Sequence, residues 1–391
     1  WLIFLLISYY IRLKLKKRAL LAFLGINLIF VYNIMCEIYN SERIGFIYLC
    51  IYLLIFYIQH HLLKNLIHKK NYKAFIPILF PIIILIISKT FPFVGYLNFI
   101  FLIGISYISF KTTHMAILVR NKSIVMPTLL ELYAYVLYAP TIFVGPINSA
   151  KDFFDTLKKP ICFKAFPPFI SINRIIIGLV KYFYLSSVVS QLTFNSLWSS
   201  GHEHTALDFL VSSIASYLTL YMNFSGFCDI VIGVSGLLGI KINENFDNPL
   251  LARNLKDFWN RWHVTLSFFI RDLVFNPIIK FLMNLQIIKP SYLSLVASFT
   301  TIFIFLLIGV WHGLAWNYVV FGLLHGLGIV FIQYYNVLIA YILGKKYYRY
   351  YINNLIIKIF STVITFMYIS FTFFIFENDI FSIIDILLYL I

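Results

Sequence analysis

The chain has 391 residues, of which 61% are hydrophobic and only 12% charged, and its formal net charge is +16. A soluble globular domain carries about 25% charged residues, so this composition excludes an ordinary soluble fold. The basic groups are spread over many short connections and form no single stripe, which also argues against nucleic-acid binding.

The first residues, Trp1–Tyr10, already have the character of a helix interior, so a few N-terminal residues are expected to be missing. No cleavable signal peptide is visible, because apolar segments continue to the last residue. Long apolar runs recur at Ala74–Ile87, Leu97–Phe110, Ile175–Val189, Leu295–Val310, Val319–Ile332 and Leu355–Phe376. With flanking aromatics, each approaches the roughly 20 residues that carry a helix across a bilayer. The runs are continuous and do not alternate, and only helices or closed barrels satisfy their backbone in lipid. The expectation is an all-α polytopic membrane protein. It has about ten to eleven membrane-crossing or membrane-buried helices around a central funnel or tunnel. Basic residues collect at Arg12–Arg18, Lys64–Lys73, Lys111–Lys122, Lys151–Lys164 and Lys345–Arg349. They read as positive-inside bias and contact with anionic lipid. Cys36, Cys50, Cys162 and Cys228 show no CxxC spacing and are expected as buried small apolar groups in helices, with no disulfide framework.

One membrane domain over 1–391 is expected: peripheral helices over 1–125, a catalytic core over 126–335 and C-terminal helices over 336–391. Polar density rises inside the core, where five of the fifteen acidic residues fall between Asp229 and Asp272. Polar groups at membrane depth face interiors or cavities, so this clustering points to function. The first signal is Phe224-Ser-Gly-Phe-Cys-Asp229, whose acid either lines a substrate tunnel or pairs with a buried arginine such as Arg271. The run Asn243–Pro249 then reads as a polar turn feeding the next helix.

The second signal is Asn254–Asp272, read as one helix. Lys256, Asn260, His263, Ser267 and Arg271 fall on one stripe at helical spacing. Asn254 is placed as the N-cap, with Asp257 in a box-like position three residues on. Asp257 and Arg261 form an i,i+4 pair. Such a stripe calls for a water-filled cavity or tunnel, lined by Asn260, Ser267, Trp262 and Trp311, with Arg271 and Asp272 as a bracing pair.

The third signal is Ile308-Gly-Val-Trp-His-Gly-Leu-Ala-Trp-Asn317. His312 follows a long hydrophobic run and lies beside Trp311. Its imidazole either packs against a structural partner or takes a proton from a hydroxyl near neutral pH. Gly313 would leave room for a substrate. His325 reads as a packed helix histidine: in one continuous helix it would lie about 20 Å from His312 on another face. His60, His61, His68, His114, His202 and His204 lie near connections and offer no metal-ligand constellation.

Taken together, these motifs resemble the membrane-bound O-acyltransferase (MBOAT) family in its bacterial branch, which includes alginate O-acetyltransferases and teichoic-acid D-alanyl transfer proteins. The resemblance is carried by Pro140-Thr-Ile-Phe-Val-Gly-Pro146, Phe224–Asp229, Asn245-Phe-Asp-Asn-Pro249, Asp257-Phe-Trp-Asn-Arg-Trp-His263, Phe269-Ile-Arg-Asp272 and Gly309-Val-Trp-His-Gly313. It implies that His312 is catalytic and that His263 lies close to the reaction path. Phe224–Asp229 looks like the acetylase type. Phe258–His263 and the ending Phe371–Phe376 look like the D-alanyl type, so the acyl group and acceptor polymer stay open. The implied activity is acyl transfer from a thioester to a hydroxyl of a cell-envelope polysaccharide or teichoic-type polymer. It is performed in the bacterial inner membrane with His312 as base and His263, helped by Asn260 or Ser267, positioning substrate or supporting the oxyanion. The implied donor is acetyl-CoA or an acyl group on a phosphopantetheine carrier protein, entering from the cytoplasm. No tightly bound cofactor and no metal are implied, and an extracytoplasmic acetylase or relay protein would be the partner. The competing class is a transporter or flippase of the same pathway. It would show matched broken helices in two halves, whereas the polar residues here sit in one half.

Overall fold

The computed structural model describes residues 19–90, 102, 104–162, 164–198, 205–284 and 292–390. Arg12–Arg18, His202, His204 and residues 97–101 and 103 of the Leu97–Phe110 run lie outside them. Among the described residues there is no strand, only an isolated antiparallel bridge between Phe246 and Trp262. Also among the described residues, seven helical stretches are long and apolar enough to cross a bilayer: Glu42–Leu66, Tyr72–Lys89, Pro168–Ser190, Ala206–Leu237, Leu293–His312, Trp316–Asn353 and Leu355–Glu377. Their outward faces carry side chains such as Ile83, Phe183, Phe331 and Phe360, which suits a hydrocarbon surround. The chain is an all-helical, multi-pass membrane protein.

The helices gather into two compact units interleaved in sequence: Trp1–Gly178 with Phe227–Glu244, and Leu179–Gly226 with Asn245–Ile391. The first unit contains α1 (Ala19–Tyr39), α2 (Glu42–Leu66), α3 (Ile76–Thr90), α4 (Ile105–Arg120), α5 (Leu129–Val136), α6 (Ala150–Leu157) and nearly all of α7 (Pro168–Leu179), with the latter part of α8 (Ala206–Leu237). α5 begins with a reciprocal capping box between Thr128 and Glu131, which satisfies two of the donors that a helix start leaves unpaired. Asn27 is fully buried in α1 and accepts a hydrogen bond from the Ala139 backbone N–H at 3.1 Å. Tyr138 donates to Ser235 at 2.9 Å. These two bonds tie the segment 138–146 to helices distant in sequence, since a buried polar group without a partner is costly.

The second unit contains the first part of α8, then α9 (Leu255–Arg261), α10 (Val264–Ile270), α11 (Leu293–His312), α12 (Trp316–Asn353) and α13 (Leu355–Glu377). The chain turns at residues 313–315, so α11 and α12 form a hairpin. Its close approach depends on glycine: a Cβ at Gly309 would strike the Tyr318 carbonyl oxygen, and one at Gly322 the Phe305 carbonyl oxygen. Small residues let helix backbones meet in this way in membranes. The core of this unit is aromatic: Tyr217, Phe258, Trp262, Phe321 and Phe373 are all buried. Tyr217 stacks on Phe373 with centroids 5.4 Å apart.

Four features differ from the sequence expectations. The hairpin at 313–315 replaces the continuous helix assumed between His312 and His325. Cys162 lies outside any helix and is exposed, as is Cys50; none of the four forms a disulfide, and of the four only Cys228 is buried. Part of the Lys151–Lys164 connection is helical, because Ser149 caps α6 through the Asp152 backbone N–H. The fourth difference concerns the polar-striped segment and shapes the site.

Candidate functional site

The segment 254–272 starts as the sequence indicates. Asn254 accepts the Asp257 backbone N–H at 2.9 Å, and Arg261 pairs with Asp257 at 2.8 Å. The helix then breaks. Trp262 is extended, and His263 is left-handed with φ 45° and ψ 50°. This conformation costs a residue other than glycine about 1–3 kcal/mol. It is held by an external frame: Asp247 N–H bonds to the Arg261 carbonyl at 2.9 Å, and Val264 N–H to the Asn245 carbonyl at 3.0 Å. Nothing in the periodicity marks the break, since neither tryptophan nor histidine is a helix breaker. The loop 245–247 imposes it through tertiary hydrogen bonds.

The break takes His263 off the stripe. Lys256, Asn260, Ser267 and Arg271 line a cavity of about 210 Å³ together with Thr301, Ile304, Phe305 and Ile308 of α11. His263 does not line it. The imidazole is 6% exposed and packs edge-on against Phe224 with centroids 5.0 Å apart. The stripe and the histidine thus occupy different surroundings, against the expectation of one shared face. Trp262 departs from its expected tunnel position too: it is 4% exposed and lies 5.0 Å from both Phe246 and Phe373. It is a core residue. Arg271 and Asp272 do pair, at 2.9 Å, and Arg271 also covers the Phe268 ring at 4.4 Å.

The protonation of His263 follows from its partners. Asn245 Oδ1 accepts from the Thr265 backbone N–H at 3.3 Å and from the Thr265 hydroxyl at 2.8 Å. A backbone N–H can only donate, which fixes that Asn245 atom as the oxygen. His263 Nδ1, 3.0 Å away, therefore carries the proton and donates, and Nε2 is the unprotonated acceptor. Burial pushes the imidazole pKa down to about 3, and the charge of His312 pushes in the same direction. A neutral ring with an unprotonated Nε2 accepts hydrogen bonds and in this state offers no N–H to an oxyanion.

His312 is the C-terminal residue of α11 and is exposed. Three rings surround it: Trp311 at 4.5 Å, Phe376 edge-on at 4.9 Å and Tyr318 at 6.3 Å. Asn317 fixes Phe376 by donating to its carbonyl at 2.8 Å. The packing here depends on glycine at 313, because a Cβ there would come within 2.5 Å of the Tyr318 ring. A path of ring contacts joins the two histidines, from His263 to Phe224 at 5.0 Å, Phe224 to Trp262 at 6.4 Å, Trp262 to Phe373 at 5.0 Å, Phe373 to Phe376 at 6.2 Å and Phe376 to His312 at 4.9 Å. The charge of His312 acts on His263, and of the two imidazoles His263 is buried and His312 exposed.

Asp229 lies in the first unit. Its partner is Arg174 at 3.0 Å, and Arg174 also binds Glu244; the sequence suggested Arg271 instead. Among the described residues, no group of three or more His, Cys, Asp or Glu side chains is arranged to hold a metal ion. Two residues were not singled out from sequence. Asn245 sets the His263 tautomer, although its segment reads as a polar turn and a resemblance motif with no role of its own. Phe376 walls His312, although it reads as the end of an apolar run and of a resembling segment, again with no role of its own.

A family model described as MBOAT, membrane-bound O-acyltransferase family, matches residues 101–376. A teichoic acid D-alanyltransferase of Bacillus subtilis is 31% identical over 305 residues, 75% of each chain. A peptidoglycan O-acetyltransferase of Helicobacter pylori is 36% identical over 128 residues, 32% of this chain and 23% of that protein. A probable alginate O-acetylase of Azotobacter vinelandii is 27% identical over 226 residues, 57% of this chain and 43% of that protein.

Proposed function

Given that this chain belongs to the membrane-bound O-acyltransferase family, we propose that it moves a D-alanyl group from a cytoplasmic thioester to hydroxyls of a teichoic-type cell-envelope polymer. The protein is a multi-pass membrane O-acyltransferase; donor, acceptor and direction are the proposal. The observation that carries the chemistry is the accessible His312 imidazole in its aromatic enclosure, within electrostatic reach of a buried His263 locked in one tautomer. The choice of D-alanyl over acetyl rests on the length of the likeness: 75% of the D-alanyltransferase is covered, against 23% and 43% of the two acetylases.

In this reading the acceptor oxygen attacks the thioester carbonyl carbon while His312 takes the hydroxyl proton. The C–S bond then breaks, the imidazolium returns its proton to the departing thiolate, and an ester and a free thiol result. His263 Nε2 accepts a hydrogen bond that orients a substrate group beside this step. The rings around His312 cover part of the imidazole, which limits the water that competes with the acceptor. The donor would be carried on the phosphopantetheine arm of a small carrier protein, with acetyl-CoA as the other thioester of the right chemistry. In the bacterial cytoplasmic membrane, the proposed setting, an extracytoplasmic relay protein would speed delivery to the polymer without being required for the transfer itself.

The test uses the purified chain in proteoliposomes with a glycerol-phosphate polymer enclosed. D-Alanyl thioester of a phosphopantetheine carrier, added outside, is expected to give polymer ester in the vesicles. Ester from acetyl-CoA alone would replace D-alanyl by acetyl. Ester formed only when donor and acceptor share one side would remove the transmembrane direction.

A further inference from the structure

A third imidazole lies outside the chemistry described so far. His325 of α12 has no exposed surface. Its Nδ1 is 3.1 Å from the indole Nε1 of Trp259, and its Nε2 is 3.0 Å from the Thr372 hydroxyl. Thr372 in turn donates to the Ile369 carbonyl at 2.9 Å. Every proton in this chain has one place. The indole N–H can only donate, so Nδ1 accepts. The neutral ring then carries its proton on Nε2 and gives it to Thr372, whose own proton goes to the carbonyl. A second proton on Nδ1 would face the indole N–H head-on. His325 therefore has a single tautomer and no proton to exchange, which excludes it as an acid or base.

The chain of bonds does join three helices: α9, which carries Trp259, to α12 and α13. The contact is tight elsewhere along it. The Trp259 ring of α9 packs edge-on against the His325 ring at 5.3 Å, and a Cβ at Gly328 would strike the Leu255 side chain of α9. α9 has only seven residues, and it ends where the chain enters the strained turn at Trp262 and His263. A helix this short is not stable alone and depends on tertiary contacts. Trp259 lies one turn before His263, so its anchoring fixes where that turn begins.

We propose that His325 is a positioning residue for acyl transfer, holding α9 through the Trp259 indole so that the turn after it presents His263 in its working place. The proposal rests on the acyl-transfer reading above. A misplacement of about 1 Å in a reacting group lowers rate by as much as ~100-fold, so a loose α9 would show in turnover before it showed in binding.

The test compares His325→Leu, His325→Gln, Trp259→Phe and the double variant His325→Leu/Trp259→Phe. Each full-length protein is purified in detergent and assayed with the thioester that supports transfer by the unaltered chain. Glutamine offers an acceptor and a donor from one side chain; leucine offers neither. His325→Leu and Trp259→Phe are each expected to lower kcat roughly 10- to 100-fold with KM for the thioester nearly unchanged. The double variant should fall no further than the worse single one, and His325→Gln should recover most of the rate. Unaltered kcat in either single variant would overturn the proposal, as would multiplicative losses in the double. If His325→Leu fails to fold, Trp259→Phe decides. Hydrogen exchange of the backbone over 258–266 separates this inference from the donor assignment. His325→Leu should speed exchange there whichever thioester is used, and unchanged protection would overturn the proposal even in a protein whose donor had been misassigned.

Discussion

Asn245 Oδ1 lies 3.0 Å from His263 Nδ1, and the same oxygen takes both the backbone N–H and the hydroxyl of Thr265. One amide oxygen thus sets the tautomer of a buried histidine and supports the first turn of α10. Replacing Asn245 by leucine removes both functions. The Thr265 N–H would be left buried without its partner, at a cost of about 1–3 kcal/mol, and the His263 ring would lose its fixed orientation. Asn245→Leu is expected to lower both the melting temperature and the transfer rate. Asn245→Asp, which keeps an acceptor in place, should retain more stability. Thermal unfolding of the two purified variants checks the order, and a leucine variant as stable as the aspartate one would contradict it.

The same pair gives a pH dependence. Folding holds the His263 pKa near 3 against an ordinary value of 6.5. Between those values the unfolded chain binds a proton that the folded protein refuses, so stability is fully present above about 6.5 and declines as pH falls toward about 3. His263→Asn removes the titrating group, and its melting temperature should fall less steeply over that interval than that of the unaltered protein. Identical slopes would mean that His263 is not held neutral by the fold.

The cavity beside α9 and α10 can be mapped by thiol labelling. In a background lacking Cys36, Cys50, Cys162 and Cys228, cysteines at Asn260 and Ser267 should react with a water-soluble reagent, because the thiolate forms only where water reaches. Cysteines at Phe258 and at His263 should react far more slowly, since both positions are buried. Rapid labelling at 263, equal to that at 260, would restore His263 to the stripe and contradict the break in the helix.

What could be read from the sequence divides along physical lines. The membrane helices follow from long apolar runs, which need no tertiary information. The cap at Asn254 and the pair Asp257–Arg261 are local and stand as read. The continuity of the striped segment does not, because its break is imposed by hydrogen bonds from residues 245–247, distant from it in sequence. The same limit hid Asn245, whose role depends on which imidazole nitrogen it meets. His325 reads correctly as a packed helix histidine, yet its ties to Trp259 and Thr372 involve partners 66 and 47 residues away. No local pattern records them.

The central claim is that His312 removes the proton from the acceptor hydroxyl. Its most direct test is the initial rate of polymer acylation by His312→Ala, measured per mole of folded protein in proteoliposomes. A lost general base lowers the rate by roughly 10²- to 10⁴-fold, and a loss of that size with insertion and melting temperature unchanged is the expected result. Transfer within a few-fold of the unaltered protein would contradict the account.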